Sequence, residues 1–256
     1  MGMQMSKSPL LQPAKCVRVS FPNISLFACF GLSLLLWPLN HAAGAEAKPH
    51  KNRWESAIRV YEAADRTNPP PQDAVLFTGA SNIRKWTNVA EAFPGHKVFN
   101  RGFGGAQMSD LVEFAKRIVI PYSPKLVIIY AGDNDLAAGK SPKQVLSDFR
   151  AFVQEVHAGL PSTVIGCIAV KPSPSRAKLV ANVKATDALL KDFCRTNGNA
   201  VYLDVLTPML SAQDGPRPEL FGQDGLHLNQ KGYAIWASII KPVLDRYDPP
   251  ASTNQY

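Results

Sequence analysis

The sequence predicts an α/β fold in which helices cover both faces of a mostly five-stranded parallel sheet. Short apolar runs alternate with stretches of helical periodicity from residue 54 onward. The runs are continuously apolar, which is typical of strands buried on both faces of a parallel sheet. The chain has 256 residues, of which 46% are apolar and 19% charged, enough to bury one good-sized core.

Each element follows from its local pattern. Strands are predicted at 74–78, 97–100, 125–130, 163–170 and 200–205. Between and around them, helical periodicity predicts helices over 54–66, 107–119, 142–158, 176–196 and 230–246. The first helix must stop in the stretch TNPPPQD, because proline cannot continue a helix. The strict alternation of strand and helix makes a parallel sheet the expected arrangement.

The first 45 residues are typical of a signal peptide. They contain three basic residues and no acidic one, then an apolar run over 24–39, then Ala43-Gly44-Ala45 before Glu46. The run is short for a membrane span, which needs about 20 residues. We expect cleavage and export to the periplasm or the medium, with no stable membrane insertion afterwards; an uncleaved signal-anchor is the alternative. The remaining segments are an N-terminal helix with a proline-rich connector (46–73), the main domain (74–247) and a flexible tail (248–256).

Charge and cysteine content exclude several classes of function. Without residues 1–45 the chain keeps 25 Lys+Arg and 20 Asp+Glu, and the basic residues are scattered, so a nucleic-acid partner is not expected. Cys167 and Cys194 are far apart in sequence and form neither a metal-binding pattern nor a disulfide framework. Buried free thiols are the favoured interpretation, and one bridge between them stays open.

In a parallel α/β sheet, ligands bind at the carboxyl ends of the strands, so the residues after each strand carry the functional signal. Ser81 follows the first strand in GASNIR. Asp224 and His227 lie three apart in FGQDGLH, where a turn at Gly225 could bring the carboxylate to the imidazole. A histidine oriented in this way can serve as the general base for a serine hydroxyl. Taken alone, the same loop could simply be a turn before a helix capped by Asn229.

Two further loops offer hydrogen-bond donors. The glycines of NRGFGG, ending at Gly105, allow backbone N–H groups to approach a ligand, although a tight turn is the simpler interpretation. In GDND, Asn134 could donate a side-chain N–H to the same oxyanion. The spacing of these carboxylates does not match a calcium loop, and no dinucleotide, P-loop or zinc-protease motif occurs, so no metal is expected.

Together and in this order, the four loops resemble those of the SGNH/GDSL hydrolases, particularly bacterial exported members. The resemblance covers about residues 75–245. It implies a flavodoxin-like three-layer α/β/α sandwich, with Ser81, Asp224 and His227 as catalytic residues. The oxyanion hole would consist of Ser81, Gly105 and Asn134. One departure is Ala80, where the family often has aspartate; this puts substrate preference in doubt.

The resemblance implies a serine esterase that needs no cofactor. Its partner would be a small-molecule, carbohydrate or lipid ester, hydrolysed through an acyl-enzyme. Alternatives are an O-acetyl transferase or deacetylase acting on polysaccharide, and a non-catalytic binding module on the same fold. Arg84, Trp86 and Phe103 could line the pocket, although a buried Trp86 and a solvated Arg84 fit equally well. The stretch KPSPSR (171–176) could border the cleft, but a proline-rich turn is slightly favoured.

Overall fold

A five-stranded parallel sheet forms the centre of the described residues, 53–249, in a computed structural model of the protein. The strand order is β2-β1-β3-β4-β5, with every neighbouring pair parallel. The strands are β1 (Val75–Gly79), β2 (Val98–Gly102), β3 (Leu126–Tyr130), β4 (Val164–Ile168) and β5 (Ala200–Leu203). This is the flavodoxin-like order. The chain places β2 on one side of β1 and then adds β3, β4 and β5 on the other side, so the strand order reverses between β1 and β3. The predicted fold class is confirmed.

The central strands of this order are the most deeply buried. All residues of β1 and β3 are buried, because these strands have a neighbour on each side and helices above and below. The β4 strand ends at Ile168, two residues earlier than predicted, because the Val170 N–H bonds to the Asp187 side chain at 2.8 Å instead of a strand. The β5 strand ends before Asp204, whose carboxylate accepts the Thr207 N–H at 3.1 Å and starts a short helix.

Eight α-helices surround the sheet within residues 53–249. They are α1 (Glu55–Thr67), α2 (Ser81–Lys85), α3 (Met108–Ile118), α4 (Asp133–Ala137), α5 (Pro142–Gly159), α6 (Val180–Thr196), α7 (Leu206–Met209) and α8 (Gln230–Tyr247). The row α1, α3, α5 and α6 forms one layer in which neighbours touch in that order. The predicted helix start at 176 is instead a 3₁₀ segment, Pro174–Leu179, and α6 begins after it.

Helix α8 packs on the sheet through aromatic rings. The Trp236 ring centroid lies 4.8 Å from that of Tyr130 at the end of β3, and 6.2 Å from that of Trp86. Trp86 in turn contacts Phe77 of β1, at 5.8 Å. This packing holds the first turn of α8, and the loop before it, above the carboxyl ends of β1 and β3.

Helix α1, predicted as part of a separate N-terminal segment, packs on the same domain. The Tyr61 hydroxyl donates to the Gly102 carbonyl at 2.5 Å, and Asp65 bonds to both Arg101 and Tyr122. At the other end, Asp248 in the predicted tail accepts a hydrogen bond from Lys125 Nζ at 3.3 Å. The predicted leader (1–45) and the end of the tail (250–256) lie outside the described residues.

Both thiols of the described part of the chain are free and buried, at Cys167 and Cys194. The neighbouring Cys194 thiol and burial raise the pKa of Cys167. Among the helices of residues 53–249, none is long and apolar enough to cross a membrane.

Candidate active site

Ser81 lies where β1 ends at the reversal point of the sheet. Gly79 has φ 140°, and a Cβ there would lie 2.1 Å from the Tyr130 carbonyl oxygen of β3. Because glycine permits this approach, the Ala80 N–H can donate to the same oxygen at 2.8 Å. The chain then turns directly into α2, of which Ser81 is the first residue.

The loop before α8 brings a histidine to this serine. His227 Nε2 is 3.0 Å from Ser81 Oγ, and His227 Nδ1 is 2.5 Å from Asp224 Oδ2. The other Asp224 oxygen accepts the backbone N–H groups of Leu226 and His227, each at 2.9 Å. The bond to the imidazole and these two N–H groups hold the pKa of Asp224 well below its ordinary range. Three predicted residues thus form one continuous hydrogen-bonded chain.

Gly225 shapes this loop, as the sequence predicted. It has φ 59°, a left-handed conformation that favours glycine, and its N–H bonds to the Gly222 carbonyl at 3.0 Å. Asn229 also caps α8 by accepting from the N–H groups of Lys231 and Gly232, at 2.9 and 3.2 Å. The turn, the helix cap and the Asp–His contact therefore coexist in one loop.

Asn82, which the sequence analysis did not identify, ties the serine to the histidine loop. Its side chain is fully buried, and its Oδ1 accepts the Leu228 N–H at 3.1 Å. Its carbonyl accepts the Tyr233 hydroxyl at 2.8 Å. Both bonds fix α2 against the His227 segment. A lone asparagine after the serine carries no periodic or motif signal that could have revealed this role.

Of the two loops with predicted oxyanion donors, the glycine loop is joined to the end of β1, and the two loops are joined to each other. The Phe103 N–H donates to the Gly79 carbonyl at 2.8 Å, which fixes the glycine loop beside β1. Asn134 is in the first turn of α4, and its Nδ2 donates to the Ala106 carbonyl at 3.0 Å, next to Gly105. Gly105 has φ 76°, and its carbonyl accepts from Arg53 at 3.0 Å.

Asp135, the second carboxylate of GDND, is fully buried and braces these loops. Its oxygens lie 3.1 Å from the Met108 N–H at the start of α3, and one accepts from Lys140 at 2.9 Å. Burial raises the pKa of Asp135, an effect that the bonds to Lys140 and Met108 oppose. Within the described residues, no group of three His, Cys, Asp or Glu side chains is arranged to hold a metal ion.

The candidate pocket residues have different environments. Trp86 is 3% exposed and Phe103 fully buried, so both are core residues, whereas Arg84 is exposed. An open cavity of about 610 Å³ lies beside His227 and is lined by Lys85, Gly222, Gln223, Asp224, His227, Leu228 and Tyr233. A second cavity of about 440 Å³ shares Tyr233 with it and runs along α8. The site is therefore open on the histidine side.

The stretch KPSPSR does not form a simple surface turn. Lys171 is 1% exposed and lies 3.3 Å from Asp133 Oδ2, and Arg176 Nη2 donates to Asn134 Oδ1 at 3.0 Å. The only signal in the sequence was the position of the segment, directly after the carboxyl end of a strand.

Comparison with known proteins identifies a family that matches most of the described chain. The model of the GDSL-like Lipase/Acylhydrolase family matches residues 61–235. The chain belongs to this family. Membership assigns this GDSL-family protein to the hydrolases that act on acyl esters. A comparison with curated protein sequences gave no significant match.

Solved structures share the fold at low sequence identity. A GDSL-like lipase from Bacteroides thetaiotaomicron has a TM-score of 0.64 and 19% identity, over 74% of this chain and 97% of that one. A structure from Bacteroides fragilis described as an acylhydrolase has a TM-score of 0.64 and 23% identity, over the same shares. A carbohydrate esterase of family 3 from Talaromyces cellulolyticus has a TM-score of 0.55 and 18% identity, over 67% and 96%.

Proposed function

We propose that this GDSL-family hydrolase is a serine esterase that cleaves carboxylic esters through an acyl-enzyme intermediate. The observation that carries the proposal is the hydrogen-bonded chain from Ser81 Oγ to His227 Nε2, at 3.0 Å, and from His227 Nδ1 to Asp224 Oδ2, at 2.5 Å. A serine hydroxyl is a weak nucleophile near neutral pH and needs such a base. The chain supplies both the base and the group that orients it.

In the first half of the reaction, Ser81 Oγ attacks the ester carbonyl and its proton passes to His227 Nε2. Asp224 holds the proton of His227 on Nδ1, so that Nε2 is free to accept, and it stabilises the imidazolium that forms. His227 then gives its proton to the leaving alcohol. In the second half, His227 takes a proton from water, whose oxygen attacks the acyl carbonyl. His227 then returns this proton to Ser81 Oγ as the acyl–Oγ bond breaks, which releases the acid and restores the free serine.

The charge that develops on the carbonyl oxygen needs donors. We assign this role to the backbone N–H groups of Ser81 and Gly105 and to the Asn134 side chain. One Nδ2 hydrogen of Asn134 is bound to the Ala106 carbonyl, which leaves the second available. Loss of one such donor costs about 2.7–4 kcal/mol of transition-state stabilisation in serine hydrolases.

The cavity beside His227 supports a bulky alcohol group in the substrate. Because His227 protonates the leaving oxygen, the alcohol part of the ester lies on the histidine side of the site. That side opens into the cavity of about 610 Å³ lined by Lys85 and Tyr233. A carbohydrate, a lipid headgroup or another polar alcohol of similar size fits such a space, so the proposed substrates are esters of these classes.

Replacing Ser81 with alanine tests the proposal. The S81A variant should lose at least about 10⁴-fold in kcat on p-nitrophenyl acetate and butyrate, because the nucleophile is gone. Circular dichroism checks that it remains folded. Ser238→Ala is the matched control, since this serine is exposed on α8 and donates to the Ile235 carbonyl of its own helix. An unchanged rate in S81A contradicts the proposal. So does the absence of turnover by wild type on a panel extended to acetylated sugars and lysophospholipids.

Export is proposed on the sequence alone. The basic leader, the apolar run and the Ala43-Gly44-Ala45 site predict a mature N-terminus at Glu46. N-terminal sequencing of the protein recovered from the periplasm or medium should find this residue. A retained leader in the membrane fraction would instead support the signal-anchor.

A further inference from the structure

The segment that follows β4 turns inward beneath the loops of the site. The Lys171 side chain is fully buried, and that of Arg176 is only 22% exposed. Between them, the Ser175 N–H donates to the Gly225 carbonyl at 3.0 Å, in the loop that carries Asp224 and His227. The segment therefore touches both the Asn134 loop and the histidine loop, and its contacts suggest a role beyond connecting β4 to α6.

Arg176 fixes which way the Asn134 amide faces. A guanidinium can only donate hydrogen bonds, so the Asn134 atom 3.0 Å from Arg176 Nη2 must be the oxygen. A carbonyl oxygen can only accept, so the atom 3.0 Å from the Ala106 carbonyl must be the nitrogen. The two contacts exclude the flipped amide, in which oxygen would face oxygen and nitrogen would face the guanidinium.

A buried carboxylate holds the guanidinium in this place. Asp133 Oδ2 lies 3.2 Å from Arg176 Nη1 and 3.3 Å from Lys171 Nζ, and the Asp133 side chain is 5% exposed. Because little water reaches these groups, the attraction between the carboxylate and its two cations is weakly screened and holds the three side chains in place. Two positive groups share one negative group, so the cluster leaves an excess of positive charge next to Asn134 when all three are ionised.

We propose that Arg176 is a positioning residue, which holds the Asn134 amide so that its second Nδ2 hydrogen donates to the oxyanion. This inference rests on the proposed esterase function of the same site. Arg176 acts through Asn134 and touches no reacting atom. Its charge also polarises the amide, which makes the Nδ2 hydrogen a stronger donor. Asp133 holds the guanidinium in this position through its ion pair with Arg176, and Lys171 in turn pairs with Asp133.

Arg176→Met removes the charge and the donor while keeping a long apolar stem. The Asn134 amide is then held by its bond to the Ala106 carbonyl without the contact on its oxygen, so its second Nδ2 hydrogen is less firmly oriented and part of one oxyanion donor is lost. Loss of a complete donor costs about 10²–10³-fold in kcat, and we therefore expect a decrease of about 10–50-fold for this variant. KM on p-nitrophenyl butyrate should change less than about threefold, because the oxyanion contact strengthens only in the transition state.

A double-mutant cycle with Asn134→Ala separates positioning from a general structural effect. Once Asn134 is absent, Arg176→Met should lower kcat by no more than about twofold, because residues in one network are not additive. Lys178→Met is the matched control: this exposed lysine in the same segment should lower kcat by less than about twofold.

Arg176→Lys covers the case in which the methionine variant fails to fold. It keeps the positive charge beside Asp133, but offers one nitrogen where Arg176 uses two, for Asp133 and Asn134. We expect a decrease in kcat of about 3–10-fold that again disappears in the Asn134→Ala background. Circular dichroism of all variants accompanies the kinetics.

The inference is overturned if the Arg176 variants lose the same factor in kcat with and without Asn134. It is also overturned if they lose no more than the Lys178 control. Failure of the proposed function gives a different pattern, in which S81A itself keeps the wild-type rate.

Discussion

Replacing Asp224 with asparagine changes the proton position on His227 while leaving the shape of the loop intact. The asparagine Oδ1 can still accept the backbone N–H groups of Leu226 and His227, each 2.9 Å from the present carboxylate oxygen. Its NH₂ group then faces His227 Nδ1, which must give up its proton in order to accept. The proton moves to Nε2, the atom 3.0 Å from Ser81 Oγ, where it prevents His227 from acting as the base.

The size of the effect follows from the chemistry and from the exposure of the pair. The equivalent substitution in a serine protease triad lowers kcat by about 10⁴-fold. Here the Asp224 side chain is 49% exposed, so water can partly replace the lost interaction. We expect a decrease in kcat of about 10³-fold, or about 4 kcal/mol at 1.36 kcal/mol for each factor of ten.

The assay is the steady-state hydrolysis of p-nitrophenyl butyrate, with thermal unfolding as a folding control. Asp245→Asn is the matched substitution, because Asp245 Oδ1 lies 3.1 Å from His96 Nε2 in a second carboxylate–histidine pair, near the far end of α8. That variant should keep the wild-type rate. If Asp224→Asn retains kcat within about threefold of wild type, or if both variants lose the same factor, the role given to Asp224 is wrong.

Two further predictions concern stability. Gly79→Ala should lower the free energy of unfolding by more than about 4 kcal/mol, because its Cβ would lie 2.1 Å from the Tyr130 carbonyl oxygen. Gly139 is also at positive φ but has open space around it, so Gly139→Ala should lower the free energy of unfolding by only about 1–2 kcal/mol. Chemical denaturation of the two variants measures this difference. The ion pair with Arg117 lowers the pKa of Glu55 from 4.5 to about 2, so its stabilisation is present above pH 4.5 and disappears as pH falls towards 2. Melting temperatures of Glu55→Gln should therefore fall less steeply than those of wild type over that range, and parallel curves would contradict the assignment.

The sheet could be predicted because its strands are continuous apolar runs. The β3 run LVIIY is fully buried, and neither a helix face nor a surface strand requires five such residues in succession. The short helices α2 and α4 were not predicted, because five residues are too few for a helical period to show. They depend on the turns at Gly79 and Gly132, both at positive φ.

The residues of the candidate site differ in how far the sequence reveals them. Asp224 and His227 lie in one loop, so their spacing allowed a contact if the chain turned at Gly225. The position of Ser81 after a strand made a functional role plausible, but its assignment as the nucleophile came from the resemblance to the SGNH/GDSL hydrolases. The role of Arg176 depends on how the chain leaves β4 and crosses α4, which no local pattern encodes. Asn82 likewise acquires its partners Leu228 and Tyr233 only when distant segments meet.

Covalent labelling with a fluorophosphonate tests the nucleophile most directly. The reagent reacts with a serine only when a base and an oxyanion site activate it. Peptide mass spectrometry should find one adduct per chain, on the peptide that contains Ser81, and none in the S81A variant. The rate of labelling should fall sharply in His227→Ala. An adduct on another residue, or a wild-type protein that hydrolyses esters without being labelled at Ser81, would contradict the mechanism.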